Sequence, residues 1–184
     1  VQLCIMKIIR DQNQALEVIL KQEPLVIFQG QSEWGPRALG NRSILFDPTN
    51  KNAKLIINKI KGRQWWRPTA ATVMLEHKND WFDFATLKES PYMSFAVDAK
   101  PQAIKKVPAI VHVNNTCRVQ TVTSEQNKFY YNLIKAFYKK TQVPMLLNTS
   151  FNLAGFPLVE DFEDATNVMI NSNLKFIYMK GEKQ

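Results

Sequence analysis

A glycine-rich stretch, GQSEWGPRALGNRS at residues 30–43, contains polar side chains that a protein core excludes. Its candidate ligand contacts are Arg37, Asn41, Arg42 and Ser43. Glycines allow a backbone to approach a ligand closely, and arginines bind phosphate oxygens through paired, charge-assisted hydrogen bonds. The stretch therefore predicts an anion-binding loop, with a structural glycine turn and solvated arginines as the alternative.

A second basic stretch has the sequence NKIKGRQWWRPTA. Lys61, Arg63 and Arg67 lie within seven positions of one another, beside Trp65 and Trp66. Cations favour a polyanion, and an adenine ring can stack on an indole. The alternative is a basic surface turn whose two tryptophans cover the sheet.

The third stretch is HVNNTCRVQTV. Arg118 is flanked by strand-like residues, which predicts burial, and a buried arginine needs an acceptor such as a carboxylate or a bound phosphate. His112 is either a hydrogen-bonded strand histidine or a ligand contact. Cys117 is a candidate nucleophile with a pKa lowered by Arg118, but no second histidine lies nearby in sequence to complete a thiol-protease arrangement.

The fourth stretch, LLNTSFNLAGFP, continues directly from a predicted strand. Asn148, Thr149, Ser150 and Asn152 therefore lie at the carboxyl end of that strand, where open α/β sheets bind ligands. A surface turn uses one or two such residues. Four of them before a glycine and a proline predict hydroxyl and amide contacts to a polar ligand.

Hydrophobic periodicity predicts helices that alternate with strands, with some strands following each other directly. The predicted helices cover residues 11–22, 50–61, 124–141 and 159–172, with Ser124 as the N-cap of the third. The predicted strands cover residues 26–28, 43–48, 69–75, 92–99, 109–113, 118–122, 143–148 and 174–180. Residues 79–90 are predicted as a short helix or capping segment, and residues 100–109 as an exposed basic connection. This mixture predicts an α/β (α+β) fold, a single domain in which helices pack on a twisted mixed β-sheet.

Composition narrows the class of protein. The chain of 184 residues is 45% hydrophobic and 22% charged, which is typical of one folded globular domain. No apolar run reaches the roughly 18 to 20 residues that span a bilayer, so we expect a cytoplasmic protein without a membrane partner. Lys plus Arg outnumber Asp plus Glu by 24 to 16, a net charge of +8 that favours an anionic ligand.

Metal-binding patterns are sparse. His77 and His112 are the two histidines of the sequence, and neither paired-carboxylate nor HxxxH spacing occurs. Cys4 and Cys117 have no zinc-site or disulfide spacing, so we predict that both are reduced thiols. We therefore predict no protein-built metal site, and magnesium only as the partner of a bound nucleotide, held by its phosphates.

Taken in order, these stretches match a known family. The series QGQSEWGPRALGNRSILFDP, INKIKGRQWWRP, SPYMSF, AIVHVNNTCRVQTV and LLNTSFNLAGFPLV closely resembles the carboxyl-terminal domain of the O-carbamoyltransferases of nodulation-factor, cephamycin and tobramycin biosynthesis. The resemblance runs from about residue 20 to the end of the chain, and GPRALGNRSIL and LNTSFN are its most specific parts.

The resemblance implies a YrdC-like fold for the whole chain, residues 1–184. Lys61 and Arg63 resemble the KxR signature of the threonylcarbamoyl-adenylate synthases, and Ser150 and Asn152 resemble their SxN signature, both of which bind phosphate. In the family, carbamoyl phosphate and ATP form an enzyme-bound carbamoyl-adenylate with release of pyrophosphate. We therefore expect an enzyme, a carbamoyltransferase, that works by placement and electrostatics without a protein nucleophile.

The site expected from this resemblance combines cations with hydrogen-bonding side chains from all four stretches. The residues expected to act in catalysis are Arg37, Lys61, Arg63 and Arg118. The residues expected to bind substrate or nucleotide are Asn41, Arg42, Ser43, Arg67, His112, Asn148, Thr149, Ser150 and Asn152.

In the family, an amino-terminal domain of the actin-like ATPase superfamily transfers the carbamoyl group to an acceptor hydroxyl. We expect that domain, with its iron or other metal, to be the partner of this chain and to lie outside the 184 residues. This chain then performs at most the adenylation half of the reaction.

The sequence departs from the family pattern at four positions. Asn114 and Asn115 replace an acid and a glycine, Phe156 replaces an acid, and Gln64 replaces a common glutamate. The loss of these carboxylates predicts altered binding of magnesium or ligand. It affects the expected activity more than the expected fold.

Two other functions are compatible with parts of the sequence. Threonylcarbamoyl-adenylate synthesis keeps the fold and changes the substrate, but the GPRALGNRS loop argues against it. A non-enzymatic module for RNA or another polyanion agrees with the net charge of +8. Cations clustered in glycine-rich loops favour a pocket over an extended nucleic-acid surface.

Overall fold

The computed structural model describes residues 6–180. The strands are β1 (Lys7–Ile9), β2 (Leu25–Phe28), β3 (Arg42–Phe46), β4 (Ala70–Met74), β5 (Phe82–Asp83), β6 (Ala96–Ala99), β7 (Thr116–Val122), β8 (Met145–Ser150) and β9 (Phe176–Met179). The α-helices are α1 (Gln12–Leu20), α2 (Ala53–Ile60), α3 (Lys78–Trp81), α4 (Pro101–Lys106), α5 (Lys128–Thr141) and α6 (Phe162–Ser172). A 3₁₀ turn, Leu75–His77, leads into α3.

These strands form one sheet in the order β1-β9-β2-β3-β8-β4-β7-β6-β5. The pairs β1/β9, β2/β9 and β4/β7 are parallel, and the other neighbouring pairs are antiparallel. The predicted mixed sheet with helices in a single α/β domain is therefore confirmed. β3, β8, β4 and β7 lie side by side, so the segments at their ends are brought together although they are far apart in sequence.

The two helices α1 and α5 pack against each other. α1 buries Leu16 and Ile19, and α5 buries Leu133 and Phe137, all at helical spacing. Each such side chain removed from water contributes roughly 1.5 to 3 kcal/mol. No helix in residues 6–180 combines the length and the apolarity needed to cross a membrane.

The structure corrects three secondary-structure predictions. Residues 101–106 form a helix, α4, because Pro101 occupies its first turn, where a missing N–H costs nothing. Residues 109–113 form turns instead of a strand. The strand β1, which was not predicted, pairs with β9. The predicted reduced thiol at Cys4 lies outside the described residues.

The N-cap of α5 is also different from the prediction. The Asn127 side chain accepts a hydrogen bond from the Tyr130 N–H at 3.1 Å, so Ser124 is not the cap. Asn127 Oδ1 also accepts from Gln29 Nε2 at 3.0 Å, and its Nδ2 donates to Asn41 Oδ1 at 3.2 Å. This one amide therefore ties the start of α5 to the glycine-rich loop.

Replacing Asn127 with alanine is expected to lower the free energy of unfolding by about 1 to 2 kcal/mol, because the helix loses its cap and the loop loses two contacts. Urea denaturation of the purified chain measures this loss. The matched control is Ser124→Ala, expected to change stability by less than about 0.5 kcal/mol. A larger loss in the Ser124 variant would contradict the assignment of the cap.

Candidate functional site

The glycine-rich loop is held from within by a carboxylate. Glu33 Oε1 accepts the backbone N–H groups of Leu39 at 2.6 Å and Asn41 at 2.7 Å. Ser43 Oγ accepts the Gly40 N–H at 3.1 Å. Glu33 and Ser43 therefore hold the backbone of the loop in place through their side chains.

Gly40 is required by a close approach. Its φ of 113° is in the region that favours glycine, and a Cβ at this position would lie 2.2 Å from the Tyr130 ring. The Tyr130 ring, which belongs to α5, thus packs directly on the loop backbone. Any side chain here would push the loop away from α5.

Arg42 is buried, and its guanidinium is fully engaged inside the protein. Nε and Nη2 donate to the Glu160 carbonyl, Nη1 donates to the Gln29 and Asn41 carbonyls, and Nη2 also donates to the Gly30 carbonyl. The group lies 3.7 Å from the centre of the Phe28 ring. Arg42 therefore cross-links the loop to the segment before α6 and leaves no N–H for a phosphate.

Lys61 is buried at the end of α2. Its amine donates to the Ser150 carbonyl, to Ser150 Oγ at 3.1 Å and to Asn152 Oδ1 at 2.7 Å. Burial and, to a smaller extent, the charge of Arg63 together lower the pKa of Lys61 to about 7. The predicted KxR and SxN residues are therefore in direct contact.

Asn58 orients the arginine that follows Lys61. Its Oδ1 accepts from Arg63 Nε at 2.6 Å, while its Nδ2 donates to the carbonyls of Trp65 at 2.8 Å and Arg67 at 3.0 Å. Arg63 Nη2 is buried and has no partner among the described residues. Asn58 was not predicted as a site residue, because its only signal in the sequence is its place on the buried face of α2.

The tryptophans beside these cations do not cover the sheet. Trp65 and Trp66 are 69% and 59% exposed, so the alternative assignment to the core is wrong. An exposed indole next to a cationic site leaves room for a planar ring to stack. Their contact with an adenine stays a prediction.

The third stretch provides Arg118 from the strand β7. No hydrogen bond or ion pair engages its side chain within residues 6–180. His112 lies near Thr69 and Thr116, at 3.4 Å from the Thr69 carbonyl, and burial lowers its pKa. Cys117 is fully buried, and burial raises the pKa of its thiol, so this thiol lacks the lowered pKa of an activated nucleophile.

One cavity of about 100 Å³ unites the four stretches. Its charged lining consists of three arginines, and no Asp or Glu of the described chain lines it. The ion pairs found in residues 6–180 are Lys21–Glu17 and His77–Asp80, so these arginines have no carboxylate partner. The residues that line the cavity are Pro36, Arg37, Ala38, Arg63, Pro68, Thr69, Ala70, Met93, Arg118, Asn148, Thr149 and Ser150.

Uncompensated positive charge is visible in the pKa values. Burial lowers the pKa of Arg37, and the charge of Arg118 lowers it further. Burial likewise lowers the pKa of Arg63, with Arg67 as the second cause. A bound anion would offset the repulsion from the neighbouring arginines, so the cavity has the electrostatics of an anion site.

The predicted residues divide into three groups by position. Those lining the cavity are Arg37, Arg63, Arg118, Asn148, Thr149 and Ser150. Those in contact with a lining residue are Lys61, Asn152 and His112. Those whose side chains neither line the cavity nor hydrogen-bond to a lining residue are Asn41, Arg42, Ser43 and Arg67, although Ser43 pairs with Ser150 in the sheet.

Six lining residues were not predicted as part of the site, and Thr69 and Met93 are two of them. Met93 belongs to the SPYMSF segment that contributed to the family resemblance. It is buried and has a φ of 55°, which is unusual for a residue with a side chain. That strained backbone is a signal that sequence patterns do not contain.

Two departures from the family pattern keep the local geometry of the turn before β7. Asn115 has a φ of 60°, a conformation that asparagine adopts more readily than most residues with a side chain. Asn114 Oδ1 accepts the Thr116 hydroxyl at 2.8 Å and the Thr116 N–H at 3.3 Å, as an aspartate would. Both lie outside the cavity lining.

A metal site has no counterpart in the described part of the chain, where no three His, Cys, Asp or Glu residues are grouped to hold an ion. Magnesium that arrives with a nucleotide stays a prediction.

Comparison with known proteins decides the family. The model of the family described as carbamoyltransferase C-terminus matches residues 16–182. The chain belongs to this family. The nodulation protein NolNO of Sinorhizobium fredii is 43% identical to this carbamoyltransferase C-terminal domain over 148 residues, which are 79% of the chain and 22% of that protein. The nodulation protein NolO of Bradyrhizobium diazoefficiens is 40% identical over 148 residues, 79% of the chain and 27% of that protein.

Solved structures confirm the predicted YrdC-like fold of the carbamoyltransferase C-terminal domain. Full-length HypF aligns with a TM-score of 0.65 at 12% identity over 95% of the chain and 25% of HypF. Pyrococcus abyssi Sua5 aligns with a TM-score of 0.64 at 10% identity over 97% of the chain and 51% of Sua5. Escherichia coli YciO aligns with a TM-score of 0.60 at 15% identity, and the chain covers 83% of it. The described chain spans between a fifth and a third of the curated relatives it matches, so this domain is one part of such proteins.

Arg42 and Arg37 are expected to behave differently when each is replaced by lysine. Arg42→Lys should lower the free energy of unfolding by about 2 to 4 kcal/mol, because lysine cannot supply donors to all the carbonyls that Arg42 contacts. Arg37→Lys should change it by less than about 0.5 kcal/mol, because no protein acceptor is lost. Chemical denaturation measures both, and equal losses would contradict these separate roles.

Proposed function

We propose that this domain binds carbamoyl phosphate and ATP and forms carbamoyl-adenylate, as the adenylating part of an O-carbamoyltransferase. The observation that carries the proposal is the convergence of Arg37, Arg63 and Arg118 on one cavity without a carboxylate in its described lining. Three guanidinium groups that repel one another favour an anion between them. The family of the chain supports a carbamoyl-containing anion.

The size of the cavity favours a small phosphorylated substrate. Its volume of about 100 Å³ is below the roughly 300 to 1,000 Å³ of pockets that enclose drug-sized ligands. Carbamoyl phosphate suits this space, whereas a whole nucleotide must extend past the rim. The exposed Trp65 and Trp66 follow Arg63 in sequence and offer aromatic faces for an adenine there.

The proposed reaction balances without a protein nucleophile. Water attacks carbamoyl phosphate, and inorganic phosphate and carbamate are formed. A carbamate oxygen then attacks the α-phosphorus of ATP, and pyrophosphate leaves with the electron pair of the broken P–O bond. The arginines offset the repulsion between the two anionic substrates and the charge that develops on pyrophosphate.

Lys61, Ser150 and Asn152 form the second part of the proposed machinery. Ser150 lines the cavity, and Lys61 and Asn152 are both hydrogen-bonded to it. A lysine amine and a serine hydroxyl are donors to phosphate oxygens once a ligand replaces their present acceptors. Magnesium bound with ATP would neutralise phosphate charge, and it would be held by the nucleotide because the described lining offers no carboxylate.

Transfer of the carbamoyl group to a hydroxyl belongs, in this proposal, to a separate domain of the actin-like ATPase superfamily. The shares of 22% and 27% by which the chain covers NolNO and NolO support a larger enzyme. HypF, which shares the fold, was solved in a phosphate- and nucleotide-bound form, and this supports phosphate and nucleotide as the ligand classes.

Isothermal titration calorimetry tests the proposal directly. The chain is expected to bind carbamoyl phosphate, and Arg118→Ala is expected to weaken that binding about 10- to 100-fold, because a charged hydrogen-bond donor is lost. Lys139→Ala, an exposed cation on α5 that does not line the cavity, is the matched control and should bind normally. Absence of binding to both carbamoyl phosphate and ATP by the unaltered chain would refute the proposal. If both variants bind carbamoyl phosphate equally weakly, and if the chain binds RNA with an affinity that falls steeply with salt, a general polyanion-binding surface would be favoured.

Anion affinity is expected to depend on the protonation of Lys61. Only its ammonium form carries a charge, and burial lowers its pKa to about 7, so affinity should be constant below that pH and fall above it. Sulfate is the probe, because it keeps its charge from about pH 6 to 9 and so leaves the protein as the only titrating partner. For the unaltered chain, sulfate affinity is expected to fall by up to about tenfold per pH unit, because this is the limit for binding coupled to one proton.

Lys61→Arg supplies the control for this pH profile. Arginine stays charged throughout the range, so the variant should show a flat dependence of sulfate affinity on pH. His112 does not account for a loss above pH 7, because burial lowers its pKa from the ordinary value of 6.5. A flat profile in the unaltered chain would contradict the role of Lys61.

A further inference from the structure

A layer of buried polar side chains crosses the three neighbouring strands β8, β4 and β7 beside the cavity. Thr72 on β4, Gln120 on β7 and Asn148 on β8 are all buried. Thr72 Oγ1 donates to Gln120 Oε1 at 2.6 Å. Asn148 Nδ2 lies 2.9 Å from Thr72 Oγ1 and 3.1 Å from Gln120 Oε1. Such a network fixes the side chains that belong to it, because each buried polar group needs its partner.

Two main-chain carbonyls determine which way the two amides point. Gln120 Nε2 donates to the Leu39 carbonyl at 2.9 Å, and Asn148 Nδ2 donates to the Ala38 carbonyl at 3.0 Å. A carbonyl oxygen only accepts, so the nitrogen of each amide must face it. The Asn148 amide therefore points its nitrogen at the loop carbonyl and at Gln120, and its oxygen in the opposite direction.

The oxygen left over is an unpaired acceptor. Asn148 Oδ1 is buried and has no hydrogen-bond partner in the described part of the chain, although Asn148 lines the cavity with Arg37, Arg63 and Arg118. An unmade hydrogen bond at a buried acceptor is costly. Deprotonated phosphate oxygens are acceptors too, so they suit the arginines and do not satisfy this oxygen. The lining therefore favours a ligand that combines anionic oxygens with an N–H donor.

We propose that a small shift of the Asn148 side chain on ligand binding opens Oδ1, which is now shielded from solvent, to the cavity. There it accepts a hydrogen bond from the NH₂ group of carbamoyl phosphate, and Asn148 thereby selects this acyl group. The inference rests on the proposed function and names the contact that distinguishes its substrate. Acetyl phosphate has nearly the same shape but a methyl group in place of NH₂, so it leaves Asn148 Oδ1 unpaired. A site that hydrogen-bonds a substrate N–H discriminates strongly against an analogue without it.

The test compares freshly prepared carbamoyl phosphate with acetyl phosphate by calorimetry on the whole chain. The unaltered protein is expected to bind carbamoyl phosphate at least about tenfold more tightly, the effect of one hydrogen bond to a buried group. Asn148→Ala is expected to bring the ratio of the two affinities close to one. Inorganic phosphate serves as a third probe, whose affinity reports on the anion-binding side chains in the absence of an acyl group.

Thr72→Val is the matched control for damage to the polar layer. It removes a hydroxyl from the same network while Asn148 keeps its hydrogen bond to the Ala38 carbonyl. The variant is expected to lower the melting temperature, measured by circular dichroism, and to retain the preference for carbamoyl phosphate. Asn148→Ala should differ from it in the affinity ratio at a comparable loss of stability.

Each outcome has a distinct meaning. Equal affinities for the two acyl phosphates in the unaltered chain, or a ratio retained in Asn148→Ala, would overturn the role of Asn148 and leave the anion site intact. Absence of binding to all three probes would instead overturn the proposed function. If Asn148→Ala does not fold, the ratio in the unaltered chain decides alone.

Discussion

Repulsion among like charges is the constraint on which the site depends. Arg37, Arg63 and Arg118 come from three separate segments, line one cavity and lack a carboxylate partner in the described chain. Such an arrangement costs free energy in the absence of an anion. The surrounding sheet offsets that cost, because β8, β4 and β7 are neighbours whose buried side chains set the positions of the attached loops.

The loops around the cavity are stiffened by their own polar residues. Glu33 accepts two backbone N–H groups of the glycine-rich loop, Arg42 donates to carbonyls on both sides of it, and Asn58 holds Arg63 by its Nε. Asn148 and Gln120 hold the same loop from below through main-chain carbonyls. Polar side chains in this domain therefore divide between those that build the loops and those left free for a ligand.

Local patterns predicted most of the secondary structure, because the spacing of apolar residues is set within a single helix or strand. The prediction failed where a local signal has two meanings. Two prolines in residues 100–109 indicated a connection, yet Pro101 starts the helix α4. Ser124 and Asn127 are both good helix caps, and only the packing of α5 against the glycine-rich loop selects Asn127.

The sequence by itself determined the α/β class, the family and the four stretches that meet at the site, because these depend on residue types in a fixed order. Only the tertiary structure decided which cations are free. Arg37 and Arg42 are five positions apart and chemically alike, but the carbonyls that occupy Arg42 include one from Glu160, 118 positions away. The orientation of the Asn148 amide likewise depends on Ala38 and Gln120. Hydrogen-bond partners that are distant in sequence become known only when the chain has folded, and they separate a structural arginine from one that can bind a ligand.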